Sequence, residues 1–129
     1  MLATHYVGAA MATLTALDLQ SRGVGPVRVF TFGSPRIGND EFAVWASNNL
    51  TDHNRVTHHR DIVVHMPSHY RFTHLSGEWY EDEEHTLHQC SGYEDPTCSY
   101  QFYFTNVRDH MVYLKLNMSC DAVSAPAAV

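Results

Sequence analysis

The sequence predicts an α/β fold: a partial, mostly parallel sheet with flanking helices. Three observations carry the expectation of class. Apolar stretches alternate with β-branched and aromatic stretches in the order helix, strand, helix, strand. Turn signals built on Gly, Pro and Asn separate them. At 129 residues and 44% hydrophobic, the chain has material for one modest core and not for two.

Taken in order, "MLAT" is all that precedes the first helix, so the sheet is expected to be incomplete on its N-terminal side. From Gly8 the residues Ala10, Met11, Leu14, Ala16, Leu17 and Leu19 give a mostly apolar helix, which Gly23-Val24-Gly25-Pro26 stops. "VRVFTFG" over 27–33 is a buried strand, and "SPRIGN" is a turn. "DEFAVWASNNL" over 40–50 reads as an amphipathic helix with Phe42, Trp45 and Ala46 inward. "NRVTHH" is a short strand, "RDIVVHMPS" leaves it, and "YRFTHLSGEWYED" alternates as a strand or hairpin does. The polar stretch 81–99, with Gly92 and Pro96, is expected to be a long surface loop. A terminal helix is expected over 109–116, with Asp109 as its N-cap. The domain is expected to span 1–120, with 121–129 a disordered tail.

Net charge is −6, which argues against a nucleic-acid partner. No apolar run is long enough to span a bilayer as a helix, and no signal peptide is visible after Met1. Of the three cysteines, Cys90 and Cys98 could close a small loop, and Cys120 could pair with either. Together with sequons at Asn49 and Asn117, a disulfide favours a secreted chain. Ten histidines raise the possibility of a metal site, but neither H-E-x-x-H nor paired metal-ligand cysteines occur. The expectation is no metal and no cofactor. The acidic run "GEWYEDEEH" does not have the spacing of a calcium loop.

The chemistry-bearing residues lie in ordered motifs. "THYVGAAMA" begins at Thr4, with His5, Gly8, Ala10 and Ala12 in register with a nucleophile elbow. "RVFTFGSPRIGNDEFA", "NRVTHHRDIVVHMP", "YRFTHLSGEWYED" and "RDHMVYL" follow. In this order and spacing the stretch from Ala3 to Leu116 resembles the C-terminal half of the class 3, fungal-type lipases, and the resemblance implies a partial α/β-hydrolase sheet. The resemblance implies a carboxylic-ester, triacylglycerol-type hydrolase acting on a lipid or ester substrate through a Ser-Asp-His triad. It implies Asp61 as the acid, His110 as the base, and the Val7 backbone N–H as one oxyanion donor.

Two residues depart from the family pattern. Tyr6 stands where the elbow has its serine, and Thr4 stands where it has a glycine. A phenol puts its oxygen a ring's length from the backbone, away from the position where oxyanion donors converge. Ser34 reads as a turn residue and offers no substitute nucleophile. The expectation is an inactive chain; the alternatives are a non-catalytic lipid- or protein-binding pseudoenzyme and a truncated gene product. Thr4, being β-branched, predicts that the strained elbow itself is not kept. An open sheet edge predicts self-association.

Overall fold

The computed structural model describes residues 1–50 and 52–119. Twelve short elements build it, and five strands make one sheet in the order β1 (Leu2–His5), β2 (Val29–Phe32), β3 (His53–His58), β4 (Glu78–Glu81), β5 (Leu87–Gln89). The first four run parallel and β5 is antiparallel to β4. The register sets Thr4 beside Thr31, Thr31 beside Arg55, and Arg55 beside Glu78. The expected α/β class, with a mostly parallel sheet and flanking helices, is the observed one.

The crossover from β1 to β2 is α1 (Val7–Ser21). It buries Ala9, Ala12, Thr13, Ala16 and Leu17, spaced as one face of a helix. Small residues on that face let the helix lie close to the sheet. The crossover from β2 to β3 is α2 (Asp40–Asn49), whose N-cap Asn39 accepts the Phe42 N–H at 2.9 Å. Asp40 and Glu41 in its first turn suit the positive end of the helix dipole. The core joins Ala16, Leu17, Val29, Ala46, Leu50 and Leu75, with Leu2, Val27, Ile37 and Phe42 packed against it.

Beside this apolar core runs a buried polar layer. Arg55 donates to Glu78 at 3.1 Å, and Thr57 donates to the same carboxylate at 2.7 Å. Ser99, far along the chain, reaches it as well, which ties the disulfide loop to the sheet. Arg36 pairs with Glu94 at 2.7 Å and donates to the Pro67 carbonyl at 2.9 Å. Both arginines are almost fully buried and both have a carboxylate partner, as burial of a guanidinium requires.

Four expectations need correction. Trp45 is half exposed rather than inward; at its place on α2 the core-facing stripe is Ala43 and Ala46, and Trp45 lies against the Phe42 ring. The stretch 81–99 is not all loop, because Leu87–Gln89 pairs with β4 as β5. The terminal helix is one turn, α3 (Val107–His110), and Asn106 rather than Asp109 caps it, accepting the Asp109 N–H at 2.9 Å. The residues beyond it form a hairpin, β6 (Val112–Tyr113) with β7 (Leu116–Asn117). Tyr113 turns inward there to reach Asp61 while Leu114 and Leu116 stay exposed, so a tertiary contact overrides the helix read locally in "VYLKL". Cys90 and Cys98 are bridged to each other. Cys120, the other partner considered, and the expected tail 121–129 lie outside the described residues.

Candidate active site

The ends of three parallel strands point at one place. β1 delivers His5 and then Tyr6, β2 delivers Gly33, and β3 leads within three residues to Asp61. This is the carboxyl edge of the sheet, where open α/β sheets gather functional groups. α3 brings His110 to the same point from the far end of the chain.

Asp61 is fully buried. Its Oδ1 accepts the Val63 N–H at 2.7 Å. Its Oδ2 is 2.8 Å from His110 Nδ1 and also accepts the Tyr113 hydroxyl. Burial first, and then the Asp61 charge, raises the Tyr113 hydroxyl well above the usual tyrosine range. Tyr113 therefore remains a donor across the working pH range. The carboxylate so held fixes the tautomer of His110: Nδ1 carries the proton donated to Asp61, and Nε2 keeps its lone pair.

The imidazole is set from its other face by His5. The two rings stack with centroids 4.4 Å apart, and His5 Nε2 donates to the His110 carbonyl at 3.0 Å. Burial, followed by the proximity of His110, lowers the pKa of His5 and favours its neutral form. Gly33 makes the close approach possible. At φ +57, a Cβ there would lie 2.9 Å from both Asp61 Oδ2 and His110 Nδ1.

Tyr6 stands at the turn between β1 and α1 with φ 58 and ψ −130. A non-glycine residue rarely adopts this backbone conformation. The expectation that Thr4 relaxes the turn is therefore corrected. The Thr4 Cβ meets the position a Gly8 Cβ would take at 3.6 Å, an ordinary contact, so a β-branched residue fits where a glycine was expected. The Tyr6 side chain is half exposed, and its ring meets His110 edge to face with centroids 5.0 Å apart. The contact is ring on ring. Val7, next in the chain, opens α1, and no backbone acceptor takes its N–H among the described residues.

A strained strand-to-helix turn, a buried carboxylate and an imidazole bonded to it, in this chain order, form the scaffold of acyl-transfer sites. The sequence model of the class 3 lipases matches residues 1–71, more than half of the chain. The chain belongs to the class 3 lipase family. Over 121 residues it is 34% identical to a lipase of Rhizopus niveus, an alignment covering 88% of this chain and 31% of that protein. The triacylglyceride lipase structure of Rhizomucor miehei superimposes with TM-score 0.82 at 32% identity, covering 91% of this chain and 48% of that one. A third similar structure, at 34% identity and TM-score 0.81, is described as a triacylglycerol lipase whose catalytic centre is a serine-protease triad; the match covers 91% of this chain and 48% of that one. The class 3 lipase chain thus spans about a third of the curated relatives' length and about half of the solved chains.

Sequence reasoning named Asp61, His110, Tyr6 and Val7, and the fold brings all four to this edge. It gave no role to His5, Gly33 or Tyr113. Tyr113 was visible as the last residue of "DHMVY", three places after His110, but only the hairpin turns it toward Asp61. The ten histidines form no metal-ligand motif in the sequence. Three groups away from this site nonetheless converge: His58, Glu81 and His85.

Proposed function

We propose that this class 3 lipase chain carries the acid and base of a carboxylic-ester hydrolase site of the triacylglycerol lipase kind, and that its nucleophile position is inactive. In this reading Asp61 is the acid, His110 the base, and Tyr6 occupies the place of the attacking serine. The Val7 N–H is one oxyanion donor. The observation that carries the reading is the 2.8 Å contact of His110 Nδ1 with the buried Asp61 carboxylate, directly beside the elbow residue. With Nδ1 committed, His110 Nε2 is the atom that would take a proton from a hydroxyl at the turn. A serine Oγ there would sit one bond from Cβ. The phenol oxygen of Tyr6 sits beyond its ring, so the ring fills the space in which a tetrahedral intermediate would form.

The test compares the chain with Tyr6→Ser in hydrolysis of p-nitrophenyl butyrate. The unmodified chain is expected to show only the rate of its own His110→Ala variant. Tyr6→Ser is expected to exceed that rate at least ~10-fold, since the base and one oxyanion donor are in place. The gain should vanish in the Tyr6→Ser, His110→Ala double variant. Turnover by the unmodified chain that His110→Ala removes would overturn the proposed inactivity.

One feature favours a second reading, lipid binding without turnover. Tyr103 is 97% exposed and Phe104 86% exposed, on the loop that leads into α3 and His110. Adjacent exposed aromatics suit the lipid–water interface. Co-sedimentation with phosphatidylcholine vesicles that Phe104→Asp weakens would support this reading, and no co-sedimentation would remove it. The Cys90–Cys98 bridge further supports a secreted chain, since such bonds persist in oxidising compartments.

A further inference from the structure

We propose that His58, Glu81 and His85 form a zinc site on the reverse side of the segment that carries His110. One ligand atom from each of the three lies within 4.8 Å of the others. They come from separate elements. His58 ends β3 and Glu81 ends β4, where the two are register partners, and His85 lies in the turn between β4 and β5.

His58 and Glu81 are already oriented. His58 Nδ1 donates to the Asp109 carbonyl at 2.9 Å, which leaves Nε2 with its lone pair. A histidine whose far nitrogen donates to a backbone carbonyl is the usual setting of a metal-bound imidazole. Glu81 is fully buried, and its two oxygens accept the Leu114 N–H at 2.9 and 3.0 Å. Among the described residues its only ionisable partner is His85, whose Nδ1 lies 2.5 Å from Oε1. A buried carboxylate with no arginine or lysine beside it calls for another positive charge, and a divalent ion supplies one. The His58 and His85 rings stack, 17° apart in plane and 5.2 Å between centroids, so His85, carried on its turn, would have to swing for both lone pairs to meet one ion.

Access is open on one side. A hollow of about 310 Å³, lined by His58, His59, Glu83, His85, Arg108 and Asp109 among others, reaches the cluster from solvent. It has room for a water as fourth ligand. Two imidazoles and one carboxylate are the donor set that zinc takes in four-coordinate sites, and they suit magnesium or calcium poorly. The ion would bridge β3, β4 and the β4–β5 turn. Through the Asp109 carbonyl and the Leu114 N–H it would also brace the residues on both sides of His110. The proposal does not depend on ester hydrolysis, and its failure would leave that reading untouched.

Calorimetric titration of the metal-free chain with zinc chloride tests it. One ion per chain is expected, with Kd of order ~10 µM or tighter. His85→Ala, on a half-exposed turn, should weaken binding at least ~10-fold, as should His58→Gln; this is the loss expected when one of three protein ligands goes. His69→Ala, at an exposed histidine outside the cluster, should change nothing. Cobalt in place of zinc should give the intense visible bands of a tetrahedral site, lost in His85→Ala. Where His58→Gln fails to fold, the His85→Ala titration and cobalt spectrum decide. No stoichiometric binding, or binding that His85→Ala leaves intact, would overturn the site and leave Glu81 and His85 as an ion pair alone.

Discussion

At the scale of single residues, Asp61 is where the buried interactions converge. It takes hydrogen bonds from Val63, His110 and Tyr113 and has no exposure to water. Tyr113→Phe removes one donor to a buried charge and leaves the ring in place. Stability should fall by about 1.5–3 kcal/mol, the range for hydrogen bonds to charged groups. Urea unfolding measures it; a loss below about 0.5 kcal/mol would mean that His110 and Val63 alone satisfy the carboxylate. Buried histidines act on stability with a definite sign. Burial, then the nearby Arg55 charge, lowers His53 to about 4 and takes His74 well below its ordinary value. Both are therefore neutral in the folded chain and bind protons more readily once unfolded. Their contribution is fully present above pH 6.5 and is lost as pH falls from there toward about 4. Each adds a slope of up to about 1.4 kcal/mol per pH unit in that window. Thermal unfolding between pH 7.5 and 4.5 should show the decline, and His74→Gln, which can still donate to the Val64 carbonyl, should make it shallower. A variant with the full wild-type slope would exclude His74 as a source.

At the scale of elements, the β6–β7 hairpin has the geometry of a tight turn with residues poorly suited to it. Leu114 at φ 52 and Lys115 at φ 65 both occupy the left-handed region. A two-residue hairpin with positive φ at both positions prefers Asn-Gly. Leu114→Asn with Lys115→Gly should raise stability by about 1 kcal/mol, because the left-handed region costs a β-carbon roughly that much. Scanning calorimetry should show Tm rising by about 4 °C for a domain of this size. A fall in Tm would mean that the partly exposed Leu114 side chain packs more than its φ costs. The same hairpin marks the limit of what sequence could tell. Two helices and the strand between them were legible: α1 from its run of apolar residues, β2 from the β-branched and aromatic "VRVFTFG", α2 from its amphipathic pattern. β5, the one-turn α3 and the β6–β7 hairpin were not, since they exist through tertiary pairing rather than through any local pattern. The site divides in the same way. Motifs located Asp61 and His110, whereas His5 and Tyr113 matter through contacts across 105 and 52 residues of chain.

At the scale of the whole molecule, the two edges of the sheet among the described residues are β5 and β1. β5 closes one end as a short antiparallel strand. β1 at the other end pairs only with β2 among the described residues. In that pairing Leu2 and Tyr6 donate to Arg28 and Phe32 at 2.8 and 3.1 Å. Donors alternate along a parallel strand, so the Ala3 and His5 N–H groups face outward from the free edge. Val7, Met11 and Leu14 on α1 are apolar and about half exposed. An unpaired edge with apolar residues near it is a template for another strand. The chain is therefore expected to self-associate through β1. Its weight-average mass in sedimentation equilibrium should rise above the 14.6 kDa of a single chain as concentration increases. Ala3→Pro distinguishes this edge from other surfaces, because it removes an outward donor and leaves the β2 ladder intact. It should return the chain toward monomer with an unchanged circular dichroism spectrum. A wild-type chain that stays monomeric at every concentration would show that four short residues of edge are too few to recruit a partner, and an Ala3→Pro variant that associates as strongly as wild type would move the contact to the exposed face of α1.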